Sequence, residues 1–293
     1  MNKQDWVLIQ TVYEEKNLTR ASRRLHMSQP ALTYRINQIE KDLNIKVFTK
    51  VKNGIDFTPE GEIAYQFATK MNNEYLNFLD KLAETKKELH GEIRLGANTN
   101  IVRYDLTNIL KSFTAKYPNI RFKIESGTNH KIWSDMLNDK FHVAFIRGDY
   151  YWNGPKELQR EDQICLMSRE PLDLEHLYRH KRITQKMDPQ VAEEDHKWWY
   201  ERFNVPQNIF IEVDNPETCR EMMLHGLGYC ALPYSIIKKE VEEAKLPLFI
   251  EPMHFIDGRP FLRNQWALYK EESLKLEIIQ VFKKESNAYF RGN

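Results

Sequence analysis

Between positions 28 and 43 the chain carries Gln29, Thr33, Tyr34 and Arg35 within seven residues, with Arg20 upstream and Lys50 and Lys52 downstream. This is a donor-rich set with little acid. A glutamine amide can pair with both edge atoms of adenine, an arginine fork with guanine, and a threonine methyl can touch the methyl of thymine. Lysines and isolated arginines neutralise phosphate. The chemistry therefore fits a nucleic-acid duplex, with Gln29, Thr33, Tyr34 and Arg35 reading base edges and Arg20, Lys50 and Lys52 on the backbone.

Such readers need a rigid carrier. Leu32, Ile36, Ile39 and Leu43 recur at spacings of four, three and four, which puts them on one stripe of a helix and turns the donors the other way. Ser28 suits the N-cap, and Pro30 sits in the first turn, where no amide donor is needed. Just upstream, Thr19 to Leu25 reads as a short helix with Ala21 and Leu25 turned inward, and His26-Met27 makes a tight turn between the two. That is the spacing of a helix-turn-helix whose second helix enters the major groove.

The run NLTRASRRLHMSQPALTYRINQIEKDL resembles the DNA-binding segment of the LysR-type transcriptional regulators. Ala21, Ser28-Gln29-Pro30-Ala31 and Ile36 to Glu40 carry the family signature, and Thr33 stands where serine is usual, keeping the hydroxyl. The resemblance implies a DNA-contacting set of Thr19, Arg20, Ser28, Gln29, Pro30, Thr33, Tyr34, Arg35, Lys50 and Lys52. It also implies a wing. Val47-Phe48 and Ile55-Phe57 read as two short strands joined through Lys50, Lys52 and Asn53-Gly54, the last pair favouring a tight hairpin because both residues tolerate positive φ. A first helix over residues 3 to 16, with Trp6, Ile9, Val12 and Tyr13 at helical spacing, supports the unit.

Thr58-Pro59-Glu60-Gly61 has the signature of a helix start, and Ile63, Phe67, Met71, Tyr75, Phe78 and Leu82 follow at spacings of three or four. A helix over residues 59–90, ending near His90-Gly91, would be a rod of roughly 45 Å. A stripe that long between two domains has no core of its own to face, so a second copy is its natural partner, and in the family this linker dimerises.

From Gly91 the pattern alternates: GEIRLGAN as a strand, 101 to 116 as a helix, IRFKIE as a strand, 130 to 139 as a helix and HVAFIRGD as a strand, which implies a parallel sheet. A second set includes Gln163 to Met167, IFIEVD, the helix of 215 to 225 and GLGYCALP. NQWALYK returns to the first lobe, and 271 to 290 closes it. This order resembles the family's effector domain, similar in fold to type II periplasmic binding proteins. The expected division is a winged helix-turn-helix at 1–58 (α+β), the linker at 59–90, and an α/β two-lobed effector domain at 91–293, with lobe I from 91–161 and 265–293 and lobe II from 162–264. An effector would bind between the lobes at the carboxyl ends of the strands. That places Asn98, Thr99, Asn100, Thr128, Asn129, Asn215 and Thr218 at helix starts, with Arg147 as the cation, a set suited to a small carboxylate. Arg147 could also pair with Asp149.

Composition narrows the field. The 293 residues carry a net charge of +1, but residues 1–58 hold ten Lys and Arg against six Asp and Glu, so the basic excess sits with the helix-turn-helix. The first fifteen residues lack the apolar core of a signal peptide, and no apolar run approaches the roughly 18 residues of a membrane span, so the expected location is cytoplasmic. Cys165, Cys219 and Cys230 form no C-x-x-C pair and read as buried thiols. His176 and His180 are four apart on an expected helix but lack a third ligand, so no metal or cofactor is expected. Trp198-Trp199-Tyr200 reads as packing. The resemblance implies a regulator that holds promoter DNA as a dimer or tetramer, answers to a small metabolite and meets RNA polymerase. The rival reading is a cytoplasmic solute-binding or enzymatic α/β module, against which stand the basic N-terminal unit and the lack of any nucleophile and base constellation.

Overall fold

The structure, a computed structural model, describes residues 1–83, 89–243 and 247–292. It begins with α1 (Lys3–Glu15), whose capping box sets Asn2 Oδ1 on the Asp5 amide and Asp5 Oδ2 on the Asn2 amide. α2 (Leu18–Arg24) is capped by the Asn17 side chain, and α3 (Gln29–Leu43) by Ser28, which accepts from the Ala31 amide. Leu8, Ile9 and Val12 of α1 meet Leu18 and Ala21 of α2 and Leu32, Ile36 and Ile39 of α3 in one core.

Three of the four stripe residues of α3 are buried, but Leu43 is 41% exposed. The helix turns its last buried contact over to Glu40 instead. Its carboxylate accepts from the Val47 amide at 2.9 Å and from Lys46 Nζ at 2.7 Å, which ties the end of α3 to the start of the wing.

The wing is β1 (Phe48–Val51) and β2 (Gly54–Phe57), paired antiparallel with Val51 opposite Gly54. The two-residue loop is therefore Lys52-Asn53, one position earlier than expected. Of the Asn53-Gly54 pair only Gly54 has positive φ, at 143°. A Cβ there would lie 2.4 Å from the Lys16 carbonyl, to which the next residue, Ile55, donates its amide. Close docking of the hairpin on the end of α1 thus fixes the glycine.

Thr58 caps α4 (Pro59–Ala83), accepting from the Gly61 amide. Ala64 and Ala68 pack into the N-terminal core, while Ile63, Phe67, Phe78 and Leu82 are exposed. The expected extension of this helix toward residue 90 crosses 84–88, which lie outside the described residues. Near its end α4 is fastened to the first lobe. Asp80 Oδ2 accepts from Arg94 Nη1 at 2.9 Å and lies 3.0 Å from His142 Nε2, Asn77 takes the other arm of Arg94, and Asn73 donates to the Asn138 carbonyl.

From Gly91 the chain runs β3 (Gly91–Asn98), α5 (Thr99–Ile101), a π-helical turn (Val102–Leu106), α6 (Thr107–Lys116), β4 (Ile120–Gly127), α7 (Asn129–Leu137), β5 (Val143–Arg147) and β6 (Lys156–Arg160). It crosses to β7 (Ile164–Ser168), β8 (Arg182–Gln185), α8 (Pro189–Tyr200), β9 (Ile209–Val213), α9 (Pro216–Leu224), β10 (Cys230–Pro233), α10 (Lys238–Glu242) and β11 (Phe249–Pro252). It then returns through β12 (Gln265–Tyr269) and α11 (Glu277–Gly292). Lobe I has the strand order β4-β3-β5-β12-β6, parallel among β4, β3 and β5 and antiparallel at β12. Every residue of β5 is buried, as a central strand covered on both faces requires. In lobe II β7 lies antiparallel between β10 and β11, and the parallel pair β8-β9 joins through a bridge from Arg182 to Tyr229.

Sequence patterning reveals neither β6, β8 and β11 nor α8. His176 and His180 flank a single 3₁₀ turn, Leu177–Arg179, rather than riding a helix. Trp198 and Trp199 are core residues of lobe II, and Tyr200 is exposed.

Candidate nucleic-acid interface and interlobe cleft

On α3 the expected readers differ in how free they are. Gln29 and Tyr34 are exposed, Tyr34 at 67%. Thr33 is half-buried, and Lys50 and Lys52 are exposed on the wing. Thr19 donates its hydroxyl to Gln29 Oε1 at 3.0 Å, which joins α2 to the first residue of α3. Ser28 and Pro30 form the helix start.

Arg35 is not the free base reader that spacing predicts. Its Nε and Nη2 form a fork on the two oxygens of Asp5, at 2.6 and 2.8 Å, and Asp5 is 1% exposed. Burial works to raise the Asp5 carboxyl, but the Arg35 fork and the Asn2 amide bring it below the ordinary aspartate value. The pair ties α3 to α1 and fixes the rotation of α3. Arg20 bends back on Glu15, donating to its carbonyl at 2.6 Å, with its side chain still 64% exposed.

The second site lies between the lobes. A cleft of about 590 Å³ is lined by Asn98, Thr99, Asn100, Thr128, Asn129, Arg147, Asn215 and Thr218, so all eight expected residues converge there. Most are engaged. Asn98 accepts from the Asn100 amide, Thr128 from the Lys131 amide and Asn215 from the Thr218 amide, each as a helix cap. Arg147 pairs with neither an open site nor Asp149. Its Nη1 lies 3.1 Å from Asp162 Oδ2, and Nη2 donates to Ser235, whose hydroxyl and amide both bind Asp162. A cation with a side chain only 5% exposed must be paired, and Asp162, on the crossing from β6 to β7, supplies the charge. Arg147 Nε is buried with no hydrogen-bond partner among the described residues.

Two further polar ties cross the cleft among the described residues. Asn129 accepts from the Arg147 amide and donates to Asp188, which also accepts from Arg263 Nη2 at 3.0 Å. Burial lowers the Arg263 guanidinium below its usual range. A Cβ at Gly148, whose φ is 93°, would lie 2.5 Å from that guanidinium. The other tie joins the π-helical turn to α9: Arg103 pairs with Glu217 at 3.0 Å, and the Tyr104 hydroxyl donates to Glu217 as well. Burial, reinforced by that carboxylate, pushes Tyr104 up to about 12.

Sequence reasoning missed Arg103, Asp188, Glu217 and Arg263, and also Lys186, an exposed cation on the rim. Asp188-Pro189 was a usable signal, because an acid before a proline marks a helix start. The floor is apolar, with Ile164, Ala231, Pro233, Ile236 and Phe261. Among the described residues no group of three His, Cys, Asp or Glu could hold a metal ion. All three cysteines are free and buried, and burial pushes Cys165 up to about 12.

Family models match this chain over residues 4–62, as a bacterial regulatory helix-turn-helix protein of the lysR family, and over 86–285, as a LysR substrate binding domain. The chain belongs to the LysR family. It is 31% identical to the HTH-type transcriptional regulator YraN of Bacillus subtilis (strain 168), covering 96% of each chain. Its fold matches the full-length AphB N100E variant, with a TM-score of 0.67, 17% identity and 99% of each chain covered. It also matches full-length CbnR complexed with its target DNA, with a TM-score of 0.66, 16% identity and 99% and 100% coverage. The LysR-type chain is thus a DNA-binding transcriptional regulator with an effector-binding domain, not an enzyme. No helix among the described residues is long and apolar enough to cross a membrane.

Proposed function

We propose that this LysR-type regulator holds promoter DNA with α3 and its wing and is switched by a small monoanionic metabolite between the lobes. Residues 1–58 bind DNA, 59–90 dimerise and 91–293 sense. Gln29, Thr33 and Tyr34 meet base edges; Thr19, Arg20, Ser28, Pro30, Lys50 and Lys52 line the backbone; and Arg35 holds the helix at its angle. A second copy covers Ile63, Phe67 and Phe78 of α4, and paired dimers that contact RNA polymerase from the bacterial cytoplasm complete the reading.

The observation that carries the effector class is the charge arrangement of the cleft. Arg103, Arg147 and Arg263 are each already paired with an acid, which leaves Lys186 and the helix-start amides for a ligand. That is enough for one carboxylate, and the apolar floor suits the rest of a small organic acid. A second anionic group would meet no unpaired cation among the described residues of the cleft. The ligand must favour one lobe arrangement to switch anything. β3 and β5 offer a route, since β3 grips α4 through Arg94 and lines the cleft through Asn98, while His142, just before β5, meets Asp80 of α4 and Arg147, at the end of β5, lines the cleft.

Thermal unfolding of the full chain against paired panels of monocarboxylates and dicarboxylates tests this. A monocarboxylate at 100 times its Kd should stabilise by about 2.7 kcal/mol, and Lys186→Met should reduce the shift. Stabilisation by dicarboxylates alone would refute the assigned class.

A further inference from the structure

The hydroxyl of Thr19 and the amide of Gln29 come from different helices and meet on the exposed reading face. A glutamine carboxamide has an acceptor end and a donor end that exchange by a half-turn, so a free one offers a base pair either order. Here the acceptor end meets the Thr19 hydroxyl. Thr19 is the second residue of α2, and its own amide is bound to Asn17 Oδ1 at 3.0 Å. The carbonyl one turn before it, on Glu15, is taken by Arg20. Its hydroxyl proton goes instead to Gln29 Oε1 at 3.0 Å. The oxygen of Gln29 is thereby held toward α2, with one lone pair remaining, and the Nε2 donors point away.

We propose that Thr19 is a positioning residue for base recognition: it locks the Gln29 carboxamide in one orientation, so that the base pair opposite is read with donor and acceptor in a single order. The idea rests on the reading that α3 enters the major groove. It gives Thr19 a role in specificity, in addition to any contact it makes with the backbone. A bond between two exposed groups contributes little to stability, so its consequence falls on discrimination among sequences rather than on folding.

The test is selection from a randomised duplex library by the full-length protein, comparing wild type, Thr19→Val, Thr19→Ser, Gln29→Ala and the Thr19→Val/Gln29→Ala double variant. Gln29→Ala should flatten preference at one base pair per half-site by about tenfold, the scale of one good bidentate contact. Thr19→Val, which keeps the shape and loses the hydroxyl, should flatten the same position several-fold. Thr19→Ser should keep the wild-type profile, and Thr19→Val should add nothing once Gln29 is alanine, as coupled residues require. Melting temperature should stay at the wild-type value in all four variants, and any loss of affinity for random duplex should be smaller than the loss on the selected sequence. A wild-type profile in Thr19→Val, beside a flattened one in Gln29→Ala, overturns the proposal and leaves Gln29 as a reader. A wild-type profile in Gln29→Ala overturns both. Equal loss on random and selected duplexes reduces Thr19 to a backbone contact and also overturns it.

Discussion

The face of α3 and the cleft between the lobes are built on opposite plans. On α3, Gln29 and Tyr34 stand in solvent, and the wing lysines beside them are exposed. In the cleft, Arg147, Arg263 and Arg103 are spent on Asp162, Asp188 and Glu217, and Asn98, Thr128 and Asn215 cap helices. A surface that must meet a large polyanion keeps its donors free. A small pocket in a two-lobed domain cannot leave buried charge unpaired, so its polar groups pair with one another across the lobes. Substitutions should therefore damage binding on α3 and stability in the cleft.

The largest expected effect is at Arg147. Arg147→Ala leaves Asp162 buried at 2% exposure without its cation, and should cost about 3–5 kcal/mol in denaturant unfolding. A loss under 1 kcal/mol would mean the pair is not what holds the crossing from β6 to β7.

Asp188→Ala comes next. It strips partners from both Asn129 and Arg263, and about 1–3 kcal/mol should be lost. Ligand affinity should also change, because this tie crosses the cleft. Unchanged unfolding and unchanged affinity would make Asp188 a bystander.

The junction between the two regions should be acid-sensitive. Burial lowers His142 below its ordinary value, against the opposing pull of Asp80, so the unfolded chain binds a proton that the fold resists. For Asp80, burial raises the carboxyl, but His142 and Arg94 outweigh it and the net shift is downward. Both groups give stability that is present at neutral pH. The His142 share is lost as pH falls below the mid-6 range, and the Asp80 share below the ordinary aspartate range. A His142→Asn variant should show a flatter stability profile between pH 7 and 5.5, and an equally steep one would place the sensitivity elsewhere.

The smallest stability effect should be on the wing, where Lys52→Ala should stay within about 0.5 kcal/mol of wild type. It should nevertheless weaken binding to all duplexes alike and lower the salt slope by about one.

The same contrast decides what the sequence made legible. The helix-turn-helix could be read because its evidence is local: Ser28 and Pro30 at a helix start, a stripe at three and four residues, a tight turn before it. The order of strands and helices through β5 was equally local. The pairings of Arg35 and Arg147 were not legible because their partners, Asp5 and Asp162, lie 30 and 15 positions away, and side-chain pairing over such distances leaves no periodic trace. β8 and α8 escaped notice because Arg182–Gln185 is short and the Asp188-Pro189 start was not weighed. The cleft's position followed from topology, and the expected residues line it. What those residues do there depends on cross-lobe ties that only the folded chain displays.

The most direct test of the account is the affinity ratio between the protein's own upstream DNA and a scrambled duplex, measured by fluorescence anisotropy for wild type and a Gln29→Ala/Tyr34→Ala variant. Melting curves would be recorded alongside. The account predicts a wild-type ratio of at least about a thousand, collapsing by tenfold or more in the variant while the melting temperature holds. An unchanged ratio with an intact fold would contradict it, because the exposed face of α3 would then not be the surface that reads DNA.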